Sequence, residues 1–372
     1  MNILILSWRG PKHPNAGGAE ISTHEHAKGW AKAGHDVTLF TSAFFDCKMQ
    51  EMIDGVKIKR CGRQIFGVQW EAFKWYLFSK HLKFDLVVDQ FHGIPFFTPL
   101  YVRTKKLAFI HEVTKEVWKL NPWSWPFNII AAFVGEIFEP MIFKLYKKVL
   151  FMTVSNSTRS DLITWGIPRD QITVIHNGVK IPKITNNFKK ENKKTLIFLG
   201  ALSRDKGVEQ ALKVFQLIDQ AEQEEWQFWI VGKVDPRYLN VLKLLSQKLG
   251  IDKKVKFWGF VSEKKKFELL SRAHIAVNPS VREGWGLVVI EAADVGTPTV
   301  GYNVAGLRDS IIDGRTGILC DVDPVKCSEA VLVLMSNQKN YQRLRQNCFK
   351  WSREFNWGKS IKQSLKLIQK YA

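Results

Sequence analysis

The chain has no C-x-x-C pair and no His/Cys cluster with zinc-site spacing. Its five cysteines, Cys47, Cys61, Cys320, Cys327 and Cys348, are scattered and odd in number. These absences argue against a disulfide framework or a structural metal and favour a reducing cytosol. No segment reaches the roughly 18–20 uncharged apolar residues that a bilayer span requires. The nearest, 120–135, is interrupted by Pro122 and Pro126. The opening run MNILILSWRG has neither a basic start nor a small-residue cleavage site, so a first buried strand is expected in place of a secretion signal. Acidic residues are also scarce, 35 against 55 basic ones, which leaves a net charge of +20. A surplus spread along the whole chain fits either an anionic partner or a generally basic surface. The dispersed charge and missing nucleic-acid motifs argue against nucleic acid as that partner.

What is present is a globular chain of 372 residues, 45% hydrophobic and 24% charged, long enough for two domains. Short apolar runs alternate with helical stretches. ILILSW (3–8), a Gly17-Gly18 loop, a helix over about 19–33 and HDVTLFTS (35–42) form a β-α-β opening. FDLVVDQ (84–90), KLAFIHE (106–112), VLFMTVS (149–155) and ITVIHNG (172–178) follow as further strands. The segment 180–194 turns polar and basic and is expected to be a linker. A second series begins with TLIFLG (195–200) and continues through QFWIVG (227–232), VKFWGFV (255–261), AHIAVNPS (273–280) and TPTVGYN (297–303). Strands separated by helices imply parallel sheets covered on both faces, whose ligands bind at the carboxyl ends of the strands. The tail from residue 351 reads as a basic amphipathic helix able to return to the first domain.

The stretch REGWGLVVIEAADVGTPTVG, 282–301, places Glu283 on a loop and Glu291 in the second turn of the following helix. Glycines between them let backbone amides approach an anion at a helix N-terminus. The alternative is a tight loop carrying two solvated glutamates. The Gly17-Gly18 loop lacks the G-x-G-x-x-G pattern of nicotinamide cofactors. It is either a ligand-facing loop or a tight turn. His111 ends a strand and should point toward ligand, with His92 a weaker candidate; His176 and Asn177 read as turn and hinge residues. Asp321 and Asp323 form the one D-x-D, better explained by the turn ending at Pro324 than by a metal. Aromatic residues and lysines mingle in 115–151, where Lys144, Lys147 and Lys148 accompany Phe143, Leu145 and Tyr146. This composition fits an interfacial anchor or, alternatively, a core helix with its loop.

The stretch PSVREGWGLVVIEAADVGTPTVGYNVAGLRDSIIDGRTGIL (279–319) resembles the E-x7-E region of the retaining glycosyltransferases of family 4 (group 1). NAGGAE, FDLVVDQFHG, FIHE, TVSNSTRSDL, VIHNGV and LGALSRDKG extend the resemblance over nearly the whole chain, in the family's order. It implies an α/β architecture, the GT-B fold, in which two Rossmann-like parallel-sheet domains face a cleft and a C-terminal helix packs back on the N-terminal domain. The expected divisions are 1–182 for acceptor binding, 195–352 for the nucleotide sugar, and 353–372 for the returning helix.

The resemblance also implies roles. Glu283 would contact the hydroxyls of the donor sugar, and Gly284, Trp285, Gly286 and Leu287 would hold its diphosphate. Glu291 would bind the ribose, and Lys206 would neutralise the leaving diphosphate. His111 would lie near the reactive carbon, with Gly17 and Gly18 facing donor phosphate and acceptor. The family usually has phenylalanine at the position of Trp285. It commonly has arginine where this chain has Ala201, and Arg204 is the candidate replacement. The implied enzyme is a retaining, metal-independent hexosyltransferase without a cofactor. Its donor would be a nucleotide-diphosphate sugar and its acceptor a glycan or glycolipid, with peripheral contact at the inner face of the cytoplasmic membrane. The alternatives are a GT-B binding protein impaired in catalysis, suggested by Ala201, and a GT-B nucleotide-sugar epimerase.

Overall fold

The computed structural model describes residues 1–91, 93–120, 125–180, 189–222 and 225–371. His92, Pro122 and the centre of the expected linker, 181–188, lie outside the described residues. The chain divides into two compact units, Met1–Gly178 with Asn356–Ala372, and Val179–Phe355.

In the first unit the described strands are β1 (Asn2–Ser7), β2 (Asp36–Thr41), β3 (Gln50–Ile53), β4 (Val56–Arg60), β5 (Leu86–Phe91), β6 (Lys105–Ile110), β7 (Leu150–Thr153) and β8 (Ile172–Val174). They form one sheet in the order β3-β4-β2-β1-β5-β6-β7-β8. β1 pairs in parallel with both β2 and β5, Ile5 lying opposite Leu39 on one side and Val88 on the other. Ile3, Leu4, Ile5 and Leu6 are all buried, as expected of a central strand with helices on both faces. One pairing departs from the expected alternation of strand and helix: β3 and β4 form an antiparallel hairpin at the sheet edge. Its turn is Asp54-Gly55, with φ of 51° and 82°, the two positive values that a two-residue hairpin loop of this kind needs.

The helix Trp357–Tyr371 packs on the helix Gly18–Lys32 of this unit, as the sequence led one to expect. Gly29 makes the approach possible, since a Cβ there would lie 2.3 Å from Ile361 Cγ2. Ser364 joins the pair: its hydroxyl lies 2.9 Å from His26 Nδ1 and accepts a hydrogen bond from Trp30 Nε1 at 3.0 Å. Burial pushes the His26 pKa down to about 4, so the imidazole is neutral near pH 7.

The second unit contains β9 (Lys194–Leu199), β10 (Trp226–Val231), β11 (Val255–Gly259), β12 (Ile275–Asn278), β13 (Thr299–Tyr302) and β14 (Gly317–Cys320). Among the described residues its sheet is wholly parallel, in the order β11-β10-β9-β12-β13-β14. Leu196, Phe198, Phe215, Phe228 and Ile230 fill its core, with Phe215 stacked on Phe228 at 5.2 Å. Sequence order reverses direction beside β9, where β10 lies to one side and β12 to the other. The loops leaving the carboxyl ends of β9 and β12 stand side by side at this switch point, the ordinary ligand position in such sheets.

Candidate functional site

In the second unit, the loop after β9 carries Arg204 and Lys206 into the helix Val208–Ala221, and the loop after β12 carries Glu283. The two loops are pressed together. Gly207 has φ 73°, and a Cβ there would lie 1.9 Å from the Pro279 carbonyl oxygen. The Val281 amide donates to Asp205 O at 2.9 Å. The backbone of Glu283 is fixed as well: its N–H donates to Ala305 O at 3.1 Å, and Gly306 lies against its carbonyl.

From this frame Lys206 Nζ donates to Glu283 Oε2 at 3.0 Å, and Ser280 Oγ donates to Glu283 Oε1 at 2.7 Å. Asp205 is a second carboxylate near the ammonium, at 3.8 Å. Both partners of the main pair retain solvent contact, with Lys206 24% and Glu283 14% exposed. Arg204 is directed elsewhere: its side chain is 63% exposed and lies 3.8 Å from Glu209, which also accepts from Tyr238 Oη at 2.8 Å. The structure thus brings Lys206 and Glu283 together and turns Arg204 toward another carboxylate.

Residues 284–286 lead into the helix Leu287–Asp294. Gly286 caps it with φ 76°, where a Cβ would meet Ser310 Oγ at 2.8 Å. The first amides of a helix lack intrahelical acceptors and carry its positive end, so 284–287 is suited to an anion. The Trp285 indole is buried and packs edge-on against Phe355 at 5.0 Å. At this position the backbone alone is available to a ligand. Glu291 lies in the second turn, its Oε1 accepting from Lys266 Nζ at 2.8 Å. Burial raises the Glu291 pKa, and the Lys266 charge partly offsets it.

In the first unit, Gly17 and Gly18 are exposed at the start of the helix Gly18–Lys32. The Gly17 amide is already engaged, donating to Glu20 Oε2 at 2.7 Å. Arg9 donates to the other oxygen of this buried carboxylate at 3.0 Å. His111 follows β6 and is 5% exposed, and its carbonyl accepts from Thr158 Oγ1 at 3.0 Å. The adjoining loop is held by Glu139, which accepts from the amides of Thr114 and Lys115 at 2.7 and 3.0 Å and from Trp118 Nε1 at 2.8 Å. His176 Nδ1 donates to Val154 O at 2.8 Å, and Asn177 accepts from Ser22 Oγ at 2.6 Å.

Three participants were missed in the sequence. Glu20 had a signal, since a glutamate three residues after the start of a helix commonly reaches back to the first amide. Lys266 had none, because its partner Glu291 is set by a tertiary contact, and Ser280 had none because its bond to Glu283, three residues on, depends on the fold of the loop. Asp323 accepts from the Val325 amide at 2.9 Å and caps the helix Pro324–Ser336, in keeping with its reading as a turn residue.

The fold is that of the GT-B glycosyltransferases. Sucrose-phosphate synthase from Thermosynechococcus elongatus superposes with a TM-score of 0.80 at 20% identity, covering 99% of this chain and 98% of that one. HepE of Anabaena, solved in complex with UDP-glucose, gives 0.73 at 16% identity over the full length of both chains. The Glycosyltransferase Family 4 model matches residues 16–181, and the Glycosyl transferases group 1 model matches 180–351. The chain belongs to the group 1 glycosyltransferases of family 4, enzymes that transfer a sugar from a nucleotide sugar. An uncharacterized glycosyltransferase of Methanocaldococcus jannaschii is 26% identical over 342 residues, 86% of this chain and 84% of that protein.

Proposed function

We propose that the protein is a retaining hexosyltransferase that acts without a metal ion on a glycan or glycolipid acceptor at a membrane surface. The observation carrying this reading is the Lys206–Glu283 pair, 3.0 Å apart where the loops after β9 and β12 meet, beside the helix N-terminus at Gly286. Glu283 would accept hydrogen bonds from the donor sugar, the amides of 284–287 would hold the diphosphate, and Glu291 would hold the ribose. The bond from the anomeric carbon to the diphosphate oxygen breaks, and its electron pair leaves with the phosphate. Lys206 and the helix amides stabilise that charge. The acceptor hydroxyl attacks from the same face, and its proton passes to the departing phosphate oxygen.

The membrane limb of the reading is supported by the helix Phe127–Leu145, whose outward face is largely apolar. Glu139 is buried at 2%, while Phe127, Phe133 and Phe138 are 63%, 65% and 53% exposed. Ile129, Ile130, Ile137 and Met141 widen the apolar face, and Lys144, Lys147 and Lys148 are exposed at its end. An outward aromatic stripe ending in cations suits the acyl boundary and acidic headgroups. Among the described residues no helix is long and apolar enough to cross a membrane.

The test is a thermal-shift and turnover screen with UDP-, GDP-, ADP- and dTDP-sugars, on wild type and Glu283→Ala, with and without anionic vesicles. One donor is expected to stabilise the fold and to be slowly hydrolysed, with hydrolysis lost in Glu283→Ala. A donor that binds but is never consumed would instead favour a binding protein, in line with Ala201. Failure to cosediment with the vesicles would remove the membrane limb alone.

A further inference from the structure

Lys264, Lys265 and Lys266 form a run in the first turn of the helix Glu263–Arg272. In the structure the three differ. Lys264 is exposed, whereas the Lys266 side chain is only 14% exposed and turns toward the neighbouring helix Leu287–Asp294. Its ammonium lies 2.8 Å from Glu291 Oε1 and 2.8 Å from Glu263 Oε2, and 5.0 Å from the centre of the Phe267 ring. Glu263 is largely in water at 72% exposed, whereas Glu291 is 17% exposed. The bridge therefore joins an outer carboxylate, which has water as an alternative partner, to an inner one that has little.

We infer that Lys266 is a positioning residue for the nucleotide: its ammonium occupies one oxygen of the Glu291 carboxylate, so that the other faces the ribose hydroxyls as a fixed acceptor. The inference rests on the proposed role of Glu291 in ribose binding. From the helix Glu263–Arg272, Lys266 attracts the Glu291 charge and Glu263 repels it. Burial alone pushes the Glu291 pKa upward, so removing the ammonium pushes it further in the same direction. A protonated carboxyl offers a weaker acceptor, because hydrogen bonds to a charged partner are roughly twice as strong as neutral ones. The loss is thus largest at the low end of the pH range and shrinks as pH rises through the elevated pKa, leaving only the part owed to the freed oxygen. Lys266 itself stays charged, since the two glutamates more than offset its own burial.

The experiment measures the Kd of UDP, GDP and ADP calorimetrically between pH 6 and 9. It uses whichever nucleotide the wild type binds most tightly, because all three carry the ribose. The proteins are wild type, Glu291→Gln, Lys266→Gln and Lys266→Arg, and each Kd is expressed relative to wild type at the same pH, which cancels titration of the ligand phosphate. Glu291→Gln is expected to weaken binding roughly tenfold at the upper end of the range. Lys266→Gln is expected to weaken it by up to about tenfold at the acid end of the range and by progressively less as pH rises. Lys266→Arg, which keeps the charge, should follow wild type throughout.

A Lys266→Gln defect of equal size at every pH would show a direct phosphate contact or a structural strut and would overturn the inference. So would no defect at all. In both cases a weakened Glu291→Gln leaves the ribose reading standing. If Glu291→Gln binds as well as wild type, or if no nucleotide binds, the ribose reading falls and takes the inference with it. Thermal unfolding of the variants separates a folding failure from these outcomes, and Lys266→Arg supplies the rescue if Lys266→Gln folds poorly.

Discussion

Replacing Lys206 with methionine is expected to lower turnover at saturating donor by about 10²–10³-fold, the usual cost of removing one group that stabilises charge developing in a transition state. The argument rests on the position of the ammonium. It is held 3.0 Å from Glu283 Oε2 by two loops that themselves touch at Gly207 and Val281, so little reorganisation accompanies the reaction. Methionine preserves much of the stem and removes the charge. It also leaves Glu283 with Asp205 as a neighbouring carboxylate and no ammonium between them, which adds repulsion toward an arriving diphosphate. Donor KM should therefore rise as well, but by less than turnover falls. Lys206→Arg should recover part of both. Because Lys206 and Glu283 act through one contact, the double substitution with Glu283→Gln should cost less than the sum of the single ones. Steady-state kinetics on the donor found by the screen decide the matter. A loss of turnover below about threefold would remove Lys206 from the chemistry.

The second large effect is expected from Gly306→Ala, a change of one methyl group. The position has φ 78°, and an added Cβ would lie 2.0 Å from the carbonyl oxygen of Glu283 and 2.5 Å from its carbonyl carbon. Neither atom is the flexible end of a side chain. Relief demands that the loop bearing Glu283 retreat, and that movement strains the bond from the Glu283 amide to Ala305 O. The positive φ adds its own cost. A destabilisation of about 3 kcal/mol or more follows, which for a unit of this size lowers Tm by roughly 6–12 °C. Nucleotide-sugar turnover should fall even at temperatures where the variant remains folded, because Glu283 is displaced along with its backbone. Thermal unfolding and donor turnover measured on the same preparation test both parts. A Tm within about 2 °C of wild type would show that the loop is looser than its contacts indicate.

The legible part of the fold was its strands. A run such as Ile3–Leu4–Ile5–Leu6 is apolar at every position because both faces of its strand are covered, and periodic helices between such runs leave few ways to build a sheet other than in parallel. The edge hairpin was legible in principle from Asp54-Gly55. Its flanking strands, QEMI and VKIKR, are short and carry charge, which weakens the signal. The glutamate spacing placed Glu283 on a loop and Glu291 in the second helical turn, since that spacing is local and follows from helix geometry alone.

Sequence by itself therefore determined the order of the elements, the carboxyl-end loops on which the candidate residues stand, and the glycines that let those loops turn. Only the tertiary structure decided the partners. It paired Lys206 with Glu283 across 77 positions, sent Arg204 to Glu209, directed one lysine of a basic run to Glu291, and buried Glu139 while its aromatic neighbours face outward. The reason is physical. An element's type is set by interactions within a few residues, whereas the partner of a charge depends on which loops packing brings within 3 Å, and no local pattern records that distance.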